Sequence, residues 1–303
     1  VLPLLFHHDL LVAPLSSGSR GNCTYIGDAR SGVLVDCGLG PAQTFARLAA
    51  IGLGDVRIDA VLVTHEHSDH VGGAAVLDRA LGKRQGALVP FYFTDGTLHA
   101  TIAKCRPRET RCVVAGETFA VGAARIEPVA VPHDTREPVC YTVDWQGARA
   151  AVITDLGRPT RLIAQQLATL DLAVLEFNHD VDLLRDGPYP WALKQRIRSA
   201  HGHLSNEQAG ALLVDGASAR LRHLVLAHLS DENNRPELAV DAAESALRQT
   251  SARPTVHVAL QREPLAPLPV SPAGGPSLGP ARPAPRARTA PAEPPQPALF
   301  PPN

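Results

Sequence analysis

The chain has 303 residues, 45% of them hydrophobic, enough to bury a full core as one large domain or two small ones. A formal net charge of −1 excludes a general basic field for nucleic acid, so any such contact rests on a local patch. The five cysteines are odd in number and form no C-x-x-C pair, which excludes a disulfide framework and reads as a reduced, cytoplasmic protein. No run is long and apolar enough to cross a bilayer, and His7, His8 and Asp9 interrupt the apolar start, so no signal peptide is read.

Residues 10–15 and 22–26 read as strands joined by the small-residue loop Ser16-Ser17-Gly18-Ser19-Arg20-Gly21. A third strand, 32–36, ends in Asp36. A helix over 41–51 follows, with Pro41 in its first turn and Phe45, Leu48 and Ile51 at helical spacing. The β-branched run 58–63 predicts a buried strand that delivers Thr64-His65-Glu66-His67-Ser68-Asp69-His70, after which 71–81 continues as a helix. Short strands and turns over 88–93 and 111–131 lead to Pro132-His133-Asp134. Strands at 141–145 and 150–153 lead to Asp155, and a helix over 160–169 precedes a strand, 172–175, that ends at Glu176. Beyond Gly187-Pro188-Tyr189-Pro190-Trp191 the segment 192–199 is helical and basic. Helix 206–214 and strand 224–227 bring the chain to His228, and helix 236–249 and strand 255–260 close the pattern.

Clusters of strands separated by helices predict an α/β (α+β) fold, an αββα sandwich of two packed mixed β-sheets with outer helices. The chemistry-bearing residues fall at strand C-terminal ends, where such folds place their sites. From 263 onward the chain turns to Pro, Ala, Gly and Arg, which cannot bury enough apolar surface to offset ordering entropy. The expected division is a domain over 1–262 and a disordered tail over 263–303.

Three histidines and an aspartate within 65–70 form a dense ligand set, since imidazole and carboxylate are the usual partners of transition metals. His133, Asp155 and His228 each follow an apolar strand. Together they make five histidines and two aspartates, enough for two metals with an open position for water. Two divalent cations about 3.5–4 Å apart share a water, bring its pKa toward neutrality and stabilise charge developing on the attacked group. Ligation by His and Asp without Cys favours Zn²⁺, with Mn²⁺ and Fe²⁺ also compatible.

The pattern His65-x-His67-x-Asp69-His70, then His133, Asp155 and His228, resembles the motif set of the metallo-β-lactamase superfamily over roughly residues 10–260. The resemblance implies that His65, His67 and His133 bind one metal, that Asp69, His70 and His228 bind a second, and that Asp155 bridges them. The order of Glu176, His203 and His228 is similar to that of tRNase Z-type phosphodiesterases. It implies His203 as general acid or phosphate stabiliser and Glu176 as the carboxylate that orients and charges it, with Asp69 the third catalytic residue. There is no exosite-arm insertion between His70 and His133 and no β-CASP domain between Asp155 and His228. The fuller match is to the compact YycJ/WalJ group, through Ser17 to Asn22, Asn178-His179-Asp180, Gly187 to Trp191 and Glu232-Asn233-Asn234. That group implies a DNA exonuclease of 5′→3′ polarity.

Lys194, Arg196 and Arg198 beside Tyr189 and Trp191 suit a nucleotide chain, with phosphates held by charge and bases by stacking; His179 is a further substrate candidate. In the tail, Gln296-Pro297-Ala298-Leu299-Phe300 resembles a sliding-clamp-binding peptide on a tether. Two other readings stand beside the nuclease. One is a small-molecule hydrolase acting on a cyclic phosphodiester, lactone or thioester. The other is a degenerate binding or regulatory module, which predicts eroded ligands where all seven are present.

Overall fold

The computed structural model describes residues 10–271. One sheet begins as an antiparallel set, β1 (Leu10–Ser16), β2 (Cys23–Gly27) and β3 (Ser31–Val35). It continues in parallel through β4 (Arg57–Leu62), β5 (Phe91–Thr94) and β6 (Thr110–Val113). The second sheet repeats this plan. β7 (Phe119–Val121), β8 (Ala124–Ala130), β9 (Val139–Trp145) and β10 (Ala148–Ile153) are antiparallel. β11 (Leu172–Glu176), β12 (His223–Ala227) and β13 (Thr255–Val258) then run parallel to β10. β14 (Leu268–Val270) returns to the first sheet and pairs with β1.

The helices are α1 (Pro41–Ala50), α2 (Ser68–Val71), α3 (Ala74–Gln85), α4 (Asp95–Ala100), α5 (Arg161–Leu167), α6 (Val181–Asp186), α7 (Trp191–Arg198), α8 (Asn206–Gly216) and α9 (Pro236–Leu247). Strand β4 shows why its sequence is a continuous apolar run. Ala60 and Leu62 face the opposite sheet with Val12, Ile126 and Tyr141, while Val61 packs with Leu48, Leu77 and Leu81 under α1 and α3. A strand buried on both faces needs apolar residues at both parities. Across the molecule Leu175 and Leu226 pack with Ile163, Leu212 and Ala243 beneath α5, α8 and α9. The expected αββα sandwich is the observed fold, with one apolar layer between the sheets and one under each helical layer.

Three elements depart from the expectation. Leu268–Val270, within the segment assigned from composition to the tail, belongs to the first sheet: Leu10 pairs with Val270 and Val12 with Leu268, and Leu265 N, just before it, donates to Pro14 O at 2.9 Å. β14 carries a proline at its centre, which local pattern excludes but an edge strand tolerates. Helices α4 and α6 are too short for a periodic signal and are set by caps. Thr94 accepts from Thr97 N, and Asp180 accepts from Leu183 N at 2.8 Å. The tail peptide Gln296 to Phe300 lies outside the described residues. Among the described residues no helix is long and apolar enough to cross a membrane, and Cys23, Cys37, Cys105 and Cys140 are buried free thiols.

Candidate metal centre

Five parallel strands, β3, β4, β10, β11 and β12, direct their C-terminal ends to one edge of the sandwich. The chain turns sharply as it leaves three of them: Asp36, Asp155 and His228 have φ of 63°, 59° and 55°. A left-handed conformation costs a residue other than glycine about 1–2 kcal/mol. Three such residues at one edge mark strain held in place by the surrounding packing. At a fourth exit, past β4, His67 caps α2, whose four residues include Asp69 and His70. Gly38 passes so close beneath this helix that a Cβ there would collide with the Asp69 carbonyl, which fixes glycine at that position.

The ligand atoms form two groups. His65 Nε2 and His133 Nε2 lie 3.1 and 3.3 Å from His67 Nδ1. In the other group His70 Nε2 is 3.4 Å from Asp69 Oδ2, and His228 Nε2 is 3.7 Å from the same oxygen. Asp155 lies between them, with Oδ2 3.2 Å from His70 Nε2 and Oδ1 3.7 Å from both His133 Nε2 and His228 Nε2. All seven residues expected as ligands therefore gather at one place, in overlapping groups of three or four within each of which the ligand atoms lie within 4.8 Å of one another.

This donor set fits divalent cations on three counts. Nitrogens each about 2.0–2.1 Å from one tetrahedral metal stand about 3.3 Å apart, the spacing seen around His67. Asp155 Oδ2 and His228 Nε2 are buried without a hydrogen bond of acceptable geometry, despite charged neighbours at 3.2 and 3.7 Å. The field also favours positive charge. Burial would deprotonate His70, but Asp155, Asp36 and Asp69 outweigh it and hold its pKa well above the ordinary value. Burial likewise pulls His228 down, and Asp155, Asp69 and Glu176 push it up to about 10. Burial raises the Asp155 carboxyl, yet His228 and His70 hold it well below the usual range. At His65, His67 and His133 burial dominates, so these three stay neutral and ready to ligate.

Outer partners set the ring orientations. His70 Nδ1 lies 2.8 Å from Asp36 Oδ2, His65 Nδ1 lies 2.9 Å from Thr64 Oγ1, and His133 Nδ1 donates to Gly202 O at 3.0 Å. Thr64 Oγ1 also donates to Asp36. Asn178 donates through Nδ2 to His228 O at 2.9 Å. The role of Asp36 was not read from the sequence. Its signal is an acidic residue, 1% exposed, closing an otherwise apolar strand parallel to β4.

His203 Nδ1 lies 2.8 Å from Glu176 Oε1, and Glu176 is wholly buried. Burial raises the Glu176 carboxyl, but His203 and His228 outweigh it and hold it down at about 2. With Nδ1 engaged, His203 keeps Nε2 free. It lines a cleft of about 180 Å³ together with His228, Asn178, Tyr189, Leu193 and Ile197.

Of the substrate-binding candidates, Tyr189 and Arg196 line this cleft. Arg196 Nε pairs with Asp134, itself 3.4 Å from His133 Nε2. The others stand away from it. Trp191 is 68% exposed on the outer side of α7 and Arg198 is also exposed. Lys194 Nζ donates to Arg185 O and Gly187 O, both at 2.7 Å, closing the end of α6. His179 is 2% exposed and pairs with Ser205 in an isolated bridge; burial pulls its pKa down to about 4. A helix at the protein surface turns one face to the cleft, and spacing alone does not say which.

A family model described as the beta-lactamase superfamily domain matches residues 32–229. The exodeoxyribonuclease YycJ of Bacillus anthracis is 36% identical over 228 residues, 74% of this chain and 84% of that protein. The exodeoxyribonuclease WalJ of Streptococcus pneumoniae is 36% identical over 230 residues, 74% of this chain and 83% of that protein. Among solved structures, the metallo-β-lactamase-fold protein YhfI of Bacillus subtilis superposes with a TM-score of 0.63 at 17% identity, covering 85% of this chain and 99% of that one. Fold, clustered ligands and matched sequence agree: the chain belongs to the metallo-β-lactamase superfamily of metal-dependent hydrolases.

Proposed function

We propose that this hydrolase is a dinuclear DNA exonuclease that degrades strands in the 5′→3′ direction. His65, His67 and His133 would hold one ion, and Asp69, His70 and His228 the other, with Asp155 shared; the donor chemistry favours zinc. When bound, the ions supply an acidified water and neutralise charge on phosphoryl oxygens.

The observation that carries the reading is the His203–Glu176 pair at the cleft. A sugar alkoxide is a poor leaving group and needs a proton, whereas a thiolate leaves without one. A histidine oriented by a buried carboxylate is a device for delivering that proton, and Nε2 is the atom free to do so. The Asp69 side chain is 20% exposed, more open than those of Asp155 and Glu176 beside it. Relatives named as exodeoxyribonucleases support DNA as the polymer.

End-labelled single- and double-stranded DNA incubated with Zn²⁺-, Mn²⁺- or Mg²⁺-loaded protein tests the proposal. Early release of a 5′ label and late release of a 3′ label are expected. Survival of DNA alongside cleavage of a small cyclic phosphodiester, lactone or thioester overturns it in favour of the small-molecule reading.

A pH dependence follows from the cluster. His228 is held at about 10 against an ordinary 6.5, so its charged form stabilises the metal-free fold fully below pH about 6.5, and this stabilisation is lost as pH rises toward about 10. His70 acts in the same sense. Chelator-treated protein is therefore expected to lose thermal stability between those pH values. Metal-loaded protein, in which both rings serve as neutral ligands, is expected to lack this decline. Parallel pH profiles with and without metal would contradict the assignment.

A further inference from the structure

We infer that Gln261 is a positioning residue for the metal centre, an inference that rests on Asp69, His70 and His228 acting as ligands of one ion. Gln261 lies beyond the residues matched by the family model, yet both polar groups of its side chain grip the loop 16–22. Its Nε2 donates to Ser16 Oγ at 2.7 Å and to Gly21 O at 3.0 Å, and its Oε1 accepts from Arg20 N at 2.8 Å. Its own carbonyl accepts from Ser16 Oγ at 2.9 Å and from Arg47 Nη1 at 3.1 Å. The loop sits so close that a Cβ on Gly18, whose φ is +138°, would come within 2.7 Å of Gln261 Oε1.

What the loop carries gives this grip its consequence. Ser17 Oγ accepts from His228 N at 2.7 Å, fixing the left-handed turn that aims His228 inward. Asn22 N donates to Asp69 O at 2.7 Å, and Asn22 Nδ2 lies 3.0 Å from His70 Nε2 and 3.3 Å from Asp69 Oδ2. Three ligands of one group, two from α2 and one from the end of β12, are thus braced by a single loop, and Gln261 is a side-chain anchor of that loop from outside it. His65 and His133 take their outer contacts from Thr64 and Gly202 and none from this loop. The brace therefore acts on one half of the centre.

Stripped full-length protein titrated with Zn²⁺ against a chromophoric chelator tests this without relying on activity. Wild type is expected to take up two ions. Gln261→Ala is expected to weaken one of them by about 10–100-fold, the usual effect of losing an outer partner, and to leave the other unchanged. A general loss of structure would weaken both. Ser17→Ala should weaken the same ion, and the double variant should lose less than the product of the two single effects because both act through one loop. Gln261→Met, which keeps length and bulk, substitutes if the alanine variant does not fold. Unchanged affinity at both sites, equal weakening of both, or fully multiplicative effects would overturn the inference. Uptake of fewer than two ions by wild type would overturn the ligand assignment itself.

Discussion

Asp155→Asn is expected to lose turnover by more than about 1,000-fold, well beyond the 10–100-fold typical of outer partners of a metal site, while remaining folded. Asparagine is the apt replacement. Asp155 has φ of 59°, a region in which asparagine is enriched and alanine pays the left-handed penalty. The amide retains shape and removes the charge that both ligand groups share, since Asp155 lies within 3.7 Å of His70, His133 and His228. Metal content by mass spectrometry should fall below two per chain, with the circular dichroism spectrum unchanged. Full metal content with full turnover would remove Asp155 from the shared position. In the metal-free variant His70 and His228 lose the carboxylate that most raises their pKa, so both are expected to release protons at lower pH.

His203→Ala is expected to behave differently, and the contrast separates proton delivery from metal binding. Its Nδ1 belongs to Glu176, and no ligand of the His65, His67, His133 group or of the Asp69, His70 pair takes a hydrogen bond from it. Metal content should therefore be unchanged. Turnover of DNA should fall by about 10²–10⁴-fold, the range for a positioned acid. Hydrolysis of a p-nitrophenyl phosphodiester, whose leaving group needs no proton, should fall far less. Equal losses on both substrates would assign His203 to phosphate binding instead. Glu176→Gln should follow His203→Ala in direction, because it removes the charge that orients the ring. It also leaves His228 Nδ1 without the carboxylate 3.3 Å away, so some weakening of metal binding is expected in addition.

Much of the centre was legible because its chemistry is local. His65, His67, Asp69 and His70 lie in one loop and its short helix, and the strand before them is apolar at both parities, as a doubly buried strand must be. His133, Asp155 and His228 could be singled out because each follows an apolar run. Their meeting point, however, came from the resemblance and not from spacing. The basic aromatic segment divides in the structure. Charge and ring content gave Lys194, Arg198 and Trp191 the same standing as Tyr189 and Arg196, but α7 has no buried residue and turns only part of its surface to the cleft. The tail boundary failed for a related reason: Leu268–Val270 becomes a strand only because β1 offers an open edge.

Residue types and their order were enough to predict an αββα fold and a set of metal ligands, since ligand chemistry and strand periodicity are properties of short segments, and the family resemblance those residues carry supplied the hydrolase. Tertiary packing alone decided which polar groups support the ligands. Asp36 and Gln261 are ordinary strand-end residues in the sequence, and Ser17 and Asn22 stood out there only through the family-like loop, with no role toward the ligands. They reach the centre because parallel strands from two sheets end at one edge, and because a segment more than 240 residues along the chain from Ser16 folds back beneath the same loop.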